Sequence, residues 1–135
     1  MQHYSIINIP PITNNTGSLY VIEKQQLLPF NIKRIYYITK VIGDAVRGNH
    51  AHKQLKQLLI CLGGSCEIVL DDGKERISVL LDDPGKMLYI EPCLWREIRN
   101  TTSNATLVVF VSEEYDENDY IRDYNEFKKY VEGLQ

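Results

Sequence analysis

The stretch Arg47-Gly48-Asn49-His50-Ala51-His52-Lys53 decides the fold of this chain and raises the question of its function. Side chains alternate between the two faces of a β-strand, so His50 and His52 are predicted to point the same way. Two imidazoles on one face can bind a metal or transfer protons. The residues before and after this stretch bear on the choice between these roles.

The composition is that of an ordinary folded protein. The 135 residues are 44% hydrophobic and 24% charged, with a net charge of −3, and we predict one domain over residues 1–135. The charge balance argues against a nucleic-acid partner. No run approaches the roughly 18 apolar residues of a membrane helix, and the N-terminus lacks the features of a signal peptide. With three scattered cysteines, we expect a cytoplasmic protein with reduced thiols and no membrane partner.

Short strands separated by turn signals follow one another along most of the chain. The run 32–39 is rich in β-branched and aromatic residues, the run 19–23 is a further predicted strand, and Asp71-Asp72-Gly73 is a hairpin turn. This pattern indicates an all-β sandwich or barrel. In the tail, apolar residues recur at helical spacing (Tyr120, Tyr124, Phe127 and Val131). We therefore predict an all-β fold with a C-terminal amphipathic helix.

The spacing of the two histidines resembles the first motif of the cupins, which are jelly-roll barrels. That motif continues with a glutamate and a glycine, whereas this chain has Gln57 and Gly64. The second cupin motif brings a histidine shortly after a proline, whereas here Pro92 is followed by Arg96. A catalytic metal needs about three histidine or carboxylate ligands, and an amide and a guanidinium do not supply them. We therefore predict a cupin-type jelly-roll barrel with no metal.

Without a metal, the histidine pair points to acid–base chemistry, because imidazole titrates closest to neutrality. Tyr36 or Tyr37 can hydrogen-bond a substrate oxygen, and alternation does not say which of them faces the pocket. Arginines fit phosphate oxygens, and Trp95 is either a stacking surface for a base or sugar or a packing residue.

Several segments are similar to those of the sugar 3,4-ketoisomerases, which act on dTDP-4-keto-6-deoxyglucose. They are residues 32–38, 47–53, 62–66, 70–73, 95–97 and 115–122. The resemblance implies a metal-free cupin jelly roll with no cofactor, paired as a homodimer with exchanged N-terminal strands. It implies a dTDP-linked 4-keto sugar as substrate and a 3-keto product that an aminotransferase converts toward 3-amino-3,6-dideoxy sugars of lipopolysaccharide or S-layer glycan.

The candidate site combines this resemblance with the chemistry of the side chains. The catalytic candidates are His50, His52 and Tyr37, and the substrate-binding candidates are Arg34, Tyr36, Arg47, Asn49, Lys53, Gln57, Trp95 and Arg96. Three alternatives stay open: a 3,5-epimerase of the same substrate class, a non-catalytic sugar-nucleotide-binding cupin, and a metal-dependent cupin oxygenase. The sequence also leaves open the configuration of the product at C4, the nucleotide, and the division of roles between the two histidines.

Overall fold

Strands are the main secondary structure of the computed structural model, which describes residues 1–23 and 28–135. A 3-10 helix spans Glu117–Asp119, and the C-terminal helix is α1 (Tyr124–Gly133). The strands of the described ranges are β1 (Tyr4–Asn8), β2 (Ile12–Asn14), β3 (Gly17–Leu19), β4 (Arg34–Thr39), β5 (Arg47–His52), β6 (Gln57–Leu62), β7 (Cys66–Asp71), β8 (Arg76–Leu81), β9 (Lys86–Ile90), β10 (Trp95–Arg99), β11 (Thr106–Val111) and β12 (Tyr120–Ile121).

Two five-stranded antiparallel sheets face each other. Their strand orders are β1-β9-β6-β11-β4 and β12-β5-β10-β7-β8. Alternate residues of both sheets point inward and form one core, with Leu59 and Leu107 from the first sheet and Ile68, Leu70 and Ile98 from the second. The sheets do not close into a continuous barrel, and the arrangement is that of a jelly roll. The all-β prediction is therefore confirmed.

The predicted C-terminal helix is also present, and it packs on the outer face of the second sheet. Asp123 caps its N-terminus by accepting a hydrogen bond from the backbone N–H of Glu126. Phe127 is fully buried against Trp95 and Ile121, a burial that stabilises the fold by about 2–3 kcal/mol. This helix is not long and apolar enough to cross a membrane, and neither is any other helix in the described part of the chain.

The N-terminal segment differs from the prediction in one detail. Strand β1 lies at the edge of the first sheet and pairs with β9, but the strand predicted over 19–23 is wrong. The strand there is β3, which ends at Leu19 and pairs with β2. The side chain of Asn14 accepts a hydrogen bond from the backbone N–H of Thr16 and so closes a tight turn that ends before Gly17, which lets β3 begin earlier than the apolar pattern indicates.

A β-bulge in β5 positions the functional pocket. His50 pairs with Arg96, but Gly48 pairs with Glu97, so Asn49 is one residue in excess of its partner strand. Gly48 has φ +89°, and a Cβ there would lie 3.2 Å from the carbonyl oxygen of Arg96. Only glycine fits this conformation without strain. The extra residue turns the side chain of Arg47 to the same face as His50.

Candidate active site

A pocket of about 340 Å³ opens between the two sheets. Its walls come from β4, from β5, from β10 and from the segment that precedes α1. The lining residues are Arg34, Tyr36, Ile38, Arg47, Gly48, His50, Ile98, Tyr115, Tyr120 and Arg122. Three of these residues are arginines and three are tyrosines, so the pocket offers hydrogen-bond donors and positive charge to a ligand.

The two histidines are in direct contact, as the alternation predicts. Their Nε2 atoms are 3.1 Å apart, and the ring planes are nearly perpendicular at 88°. The Nδ1 atom of His50 lies 2.7 Å from the carbonyl oxygen of Gly48, and Nδ1 of His52 lies 2.9 Å from a carboxylate oxygen of Asp119. His50 lines the pocket, whereas His52 has only 1% of its side chain exposed and lies behind it.

Both imidazoles are held in the neutral form. Burial and, next to it, the nearby Arg96 guanidinium lower the pKa of His50 from 6.5 to about 4. Burial also lowers the pKa of His52, again with Arg96 as the next cause. Desolvation and a neighbouring cation both disfavour the imidazolium ion. At neutral pH, His50 therefore presents an unprotonated nitrogen at the pocket and is suited to act as a base.

Arg96 is a buried cation with unused donors. Its side chain points inward from β10 with 3% exposure, and Nη2 donates to the carbonyl oxygen of Leu94 at 3.1 Å. Burial lowers its pKa to about 10, which leaves it charged at neutral pH. Its Nε and Nη1 atoms are buried without a partner among the described residues, as are Nε of Arg34 and Oε1 of Gln57. Such atoms are rare in folded proteins and are typical of ligand sites.

Tyr36, and not Tyr37, faces the pocket. The phenol oxygen of Tyr36 accepts a hydrogen bond from Nε2 of Gln57 at 3.3 Å, which leaves its own O–H free to donate to a ligand. Burial raises the pKa of Tyr36, so the phenol stays protonated. Tyr37 lies on the opposite face of β4 and is 70% exposed. Consecutive strand residues point to opposite faces, so Tyr37 does not reach this pocket, and its catalytic role stays a prediction.

Three predicted binding residues lie outside the pocket of this chain. Trp95 is buried under α1, where its ring meets Tyr124 edge to face at 5.4 Å. Lys53 places its ammonium group 5.7 Å from the ring of Tyr130, also on the helix side. Asn49 is the exposed bulge residue with φ +49°. None of these three side chains lines the pocket of this chain, and their part in substrate binding stays a prediction.

The other predicted residues come together. Arg34, Tyr36, Arg47 and His50 line the pocket, and the buried side chains of His52, Gln57 and Arg96 lie directly behind them.

The segment 115–122 supplies site residues that the strand pattern does not indicate. Tyr120 pairs with His52 through β12, and the guanidinium of Arg122 lies 4.2 Å from the ring of Tyr120. Arg122 is also paired with Glu117 at 2.7 Å. Asp119 ends the 3-10 helix and holds His52. Two signals in the sequence mark this segment, namely its dense run of aromatic and charged residues and its place among the segments that resemble the sugar 3,4-ketoisomerases.

The donor atoms around the histidine pair do not suit a divalent metal. The Arg96 cation is close enough to lower the pKa of both imidazoles, and a fixed cation at this distance would repel a metal ion. The described residues contain no cluster of three or more histidine, cysteine or carboxylate side chains able to hold a metal ion. We therefore derive no chemical step through a metal, and the metal-free site stays a prediction.

Comparison with known proteins gives a family and close relatives. The family model described as "FdtA: WxcM-like, C-terminal" matches residues 2–132. A TDP-4-oxo-6-deoxy-alpha-D-glucose-3,4-oxoisomerase from Aneurinibacillus thermoaerophilus is 46% identical over 126 residues, which cover 93% of this chain and 91% of the relative. A sugar 3,4-ketoisomerase from Thermoanaerobacterium thermosaccharolyticum, solved in complex with TDP, has a TM-score of 0.95 at 42% identity and covers 99% of this chain and 98% of its own.

Two further solved structures bear on the site. A histidine-to-asparagine variant of the same Thermoanaerobacterium protein was solved in complex with TDP-4-keto-6-deoxyglucose, with a TM-score of 0.95 at 42% identity over 98% of this chain and 96% of that one. A 4-keto-6-deoxy sugar epimerase from Streptomyces spheroides has a TM-score of 0.76 at 17% identity, over 88% of this chain and 68% of its own. At that identity the likeness shows the fold alone.

Proposed function

Because the chain belongs to the FdtA (WxcM-like, C-terminal) family, we propose that it is a sugar-nucleotide 3,4-ketoisomerase. Its substrate is a dTDP-linked 4-keto-6-deoxyhexose, and it moves the keto group from C4 to C3. The observation that carries the proposal is the neutral imidazole of His50, which lines a pocket together with three arginines. The relatives, which are named for this reaction on TDP sugars, support it.

The first half of the reaction removes the hydrogen on C3. This hydrogen is acidic because the neighbouring C4 is a ketone. The imidazole of His50 takes the proton, the electrons of the C3–H bond form a C3=C4 double bond, and the carbonyl π electrons move to O4. The product of this step is an enediolate with a negative charge on O4. General base catalysis of this kind contributes about 10²–10⁴-fold to the rate.

The negative oxygen is stabilised by donors already in place. The buried Nε and Nη1 atoms of Arg96 have no partner within the described ranges, and the O–H of Tyr36 is free because its oxygen accepts from Gln57. Donors fixed in a buried site cost no reorganisation when the charge appears, and one such donor is worth about 10²–10³ in kcat.

The second half returns a proton to carbon. O4 gains a proton and O3 loses one, the C3=O3 bond forms, and the electrons of the C3=C4 bond take a proton at C4. One imidazole can serve both carbons because C3 and C4 are adjacent. The oxidation at C3 equals the reduction at C4, so the reaction needs no redox cofactor.

The charge of the cavities favours this pocket for the nucleotide part of the substrate. Arg34, Arg47 and Arg122 line it, and guanidinium groups match phosphate oxygens. A larger cavity of about 670 Å³ lies beside it, but it carries four carboxylates and one lysine among its lining residues (Lys33, Gln54, Glu113, Glu114, Tyr115, Asp116 and Asp119). A diphosphate would be repelled there.

Of the alternatives, the 3,5-epimerase is the nearest in chemistry, because it also removes a proton next to the ketone. The epimerase structure shares the fold alone with this chain, whereas the Aneurinibacillus and Thermoanaerobacterium ketoisomerases are 46% and 42% identical to it. A non-catalytic sugar-nucleotide-binding protein would not require a buried neutral imidazole pair beside a buried cation.

The protein acts as a cytoplasmic homodimer in this proposal. The outward face of the edge strand β4 carries Ile35 and Tyr37, both exposed, and Ile42 is exposed just after it. Exposed apolar side chains grouped in this way are typical of an interface. The three cysteines are free thiols, as expected for a reducing compartment. Light scattering after gel filtration measures the mass, and a monomer would contradict the dimer.

The direct test is incubation of the purified protein with dTDP-4-keto-6-deoxyglucose, followed by NMR of the product. The proposal predicts a 3-keto sugar, and the coupling constants of the C4 hydrogen give its configuration. The same assay with UDP-4-keto-6-deoxyglucose measures selectivity for the nucleotide. Binding without turnover would contradict the proposal.

A further inference from the structure

The pocket holds three tyrosines, and the second half of the reaction needs a side chain of this kind. In the enediolate, O3 carries a proton and O4 a negative charge, and the 3-keto product requires the reverse. A group that makes this exchange must accept a hydrogen bond from O3 and donate one to O4 at the same time. The O–H group of a tyrosine can do both, whereas a guanidinium group only donates. The three candidates are Tyr36, Tyr115 and Tyr120.

Two of these phenol groups are already engaged. The oxygen of Tyr36 accepts a hydrogen bond from Nε2 of Gln57 at 3.3 Å, so this phenol is left with its donor alone. Tyr115 is the converse case, because its O–H donates to the carboxylate of Glu117. None of the hydrogen bonds between the described residues involves the phenol of Tyr120, which lines the pocket. Tyr120 therefore has both its donor and its acceptor available to a ligand.

Tyr120 is also held next to the base. It pairs with His52 through β12, which fixes it on the second sheet. Its ring centroid is 5.0 Å from that of His50 and 4.4 Å from that of His52. It is close enough to Tyr36 and to the Arg96 guanidinium to influence the pKa of each. The imidazole pair, the buried cation and an unengaged phenol are consequently grouped in one part of the pocket.

The direction of the reaction explains why the base and this phenol are different side chains. A base removes the C3 proton perpendicular to the plane of the forming C3=C4 bond, whereas O3 and O4 lie in that plane. The group that exchanges protons between the two oxygens must therefore stand beside the base. Tyr120 meets this requirement, because it lines the same pocket as His50 and the two ring planes are inclined to each other at 52°.

We infer that Tyr120 is a further catalytic residue, which carries a proton from O3 to O4 of the enediolate. This inference rests on the proposed function and deepens it, because it names the side chain that completes the second half of the reaction.

The protons and electrons of this step balance without a co-reactant. The O3–H bond breaks, its electron pair stays on O3, and the proton joins the phenol oxygen of Tyr120. The O–H bond of Tyr120 breaks at the same time, and its proton joins O4. The C3=O3 bond then forms, and the electrons of the C3=C4 bond take at C4 the proton that His50 holds. Tyr120 ends the step as it began, with one O–H bond.

The substitution Tyr120→Phe removes the O–H group and keeps the ring that contacts both imidazoles and the Arg122 guanidinium. His50 still removes the C3 proton in this variant, but the enediolate returns to the 4-keto sugar because its O3 proton does not reach O4. We expect kcat for the 3-keto product to fall by about 10²-fold or more. The matched control is Tyr130→Phe on α1, where kcat stays unchanged because Tyr130 does not line the pocket.

A deuterium label at C3 of dTDP-4-keto-6-deoxyglucose separates the chemical role of Tyr120 from mere packing. The ratio of kcat/KM for unlabelled and labelled substrate measures how far cleavage of the C3–H bond limits the rate. In Tyr120→Phe this cleavage is reversible and precedes the slow step, so the isotope effect should be close to unity and no larger than in the natural protein. If Tyr120 only held His50 in place, its loss would slow the cleavage itself, and the isotope effect would rise.

Two results would overturn the inference: a Tyr120→Phe variant with the kcat of the natural protein, or one whose isotope effect exceeds the natural value. Both are measured against the natural protein's own formation of the 3-keto sugar. A natural protein that forms no 3-keto sugar would instead contradict the proposed function, so the two failures are distinguishable.

Discussion

The buried cation of Arg96 lowers the pKa of the base, and its removal has a measurable consequence. The kcat/KM value requires neutral His50, so activity is lost as the pH falls through the pKa of that imidazole. Burial and Arg96 together lower this pKa from 6.5 to about 4, with burial the larger cause. We therefore predict that the natural protein keeps its kcat/KM down to about pH 4.

The substitution Arg96→Met removes the second cause and leaves the first. The midpoint should therefore rise without reaching the ordinary value of 6.5, and each pH unit of the rise is equivalent to about 1.4 kcal/mol. The sign is fixed, because a cation disfavours the imidazolium and its loss raises the pKa. The other charged groups near His50 are Arg122, which also lowers the pKa, and Glu117, which raises it. Both are unchanged in this variant.

The assay is the pH dependence of kcat/KM between pH 3.5 and 8, with the product measured by chromatography. Methionine fills much of the volume of arginine, and two of the buried guanidinium nitrogens have no partner within the described ranges. The variant should therefore fold with a stability within about 1 kcal/mol. Arg99→Met is the matched control, because Arg99 points outward from the same strand and pairs with Glu97. A midpoint near 6.5 in the natural protein, or an unmoved midpoint in Arg96→Met, would refute the reasoning.

The remaining predictions concern the bulge, the two tyrosines and the tryptophan. Gly48→Ala places a Cβ 3.2 Å from a backbone oxygen at φ +89°. The free energy of unfolding, measured with urea, should fall by about 1–3 kcal/mol, and a fall of less than about 0.5 kcal/mol would show that the bulge does not require glycine. Tyr36→Phe should lower kcat about a hundredfold, whereas Tyr37→Phe should leave it within twofold, and the reverse order would restore the original assignment. Trp95→Ala should destabilise the fold by about 3–5 kcal/mol without raising KM in the folded protein, whereas a large rise in KM would return Trp95 to the binding site.

The architecture was predictable because its signals are local. Alternation, hairpin turns and the helical spacing of the tail each depend on a few neighbouring residues, and they led to the correct elements except for the strand predicted over 19–23. The histidine pair also follows from alternation, since His50 and His52 are two residues apart on one strand. The family resemblance rested on the same stretch and is confirmed by the match over residues 2–132.

The side-chain directions were less predictable where strand geometry is irregular. Arg47 is three residues from His50, so regular alternation would place it on the opposite face, and only the bulge at Asn49 returns it to the pocket. Trp95 follows the cupin proline, yet strand β10 points it outward under α1 and turns Arg96 inward. These outcomes depend on the pairing of distant strands, which the sequence of one strand does not reveal.

The contact between Asp119 and His52 could not be predicted from the residues next to either of them. Asp119 is 67 residues away from His52 along the chain. Several other acidic residues surround it in the sequence, so its type alone does not single it out. Its role depends on the 3-10 helix that ends there and on the short pairing of Tyr120 with His52. A contact of this kind becomes visible only when the two segments are placed together.

The most direct test of the central claim compares the natural protein with His50→Asn on dTDP-4-keto-6-deoxyglucose in D₂O, under single-turnover conditions. The account predicts a 3-keto product without deuterium at C5 for the natural protein, and no 3-keto product for the variant within the same time. Conversion by the variant at the natural rate, or deuterium at C5 of an unisomerised 4-keto sugar, would contradict it.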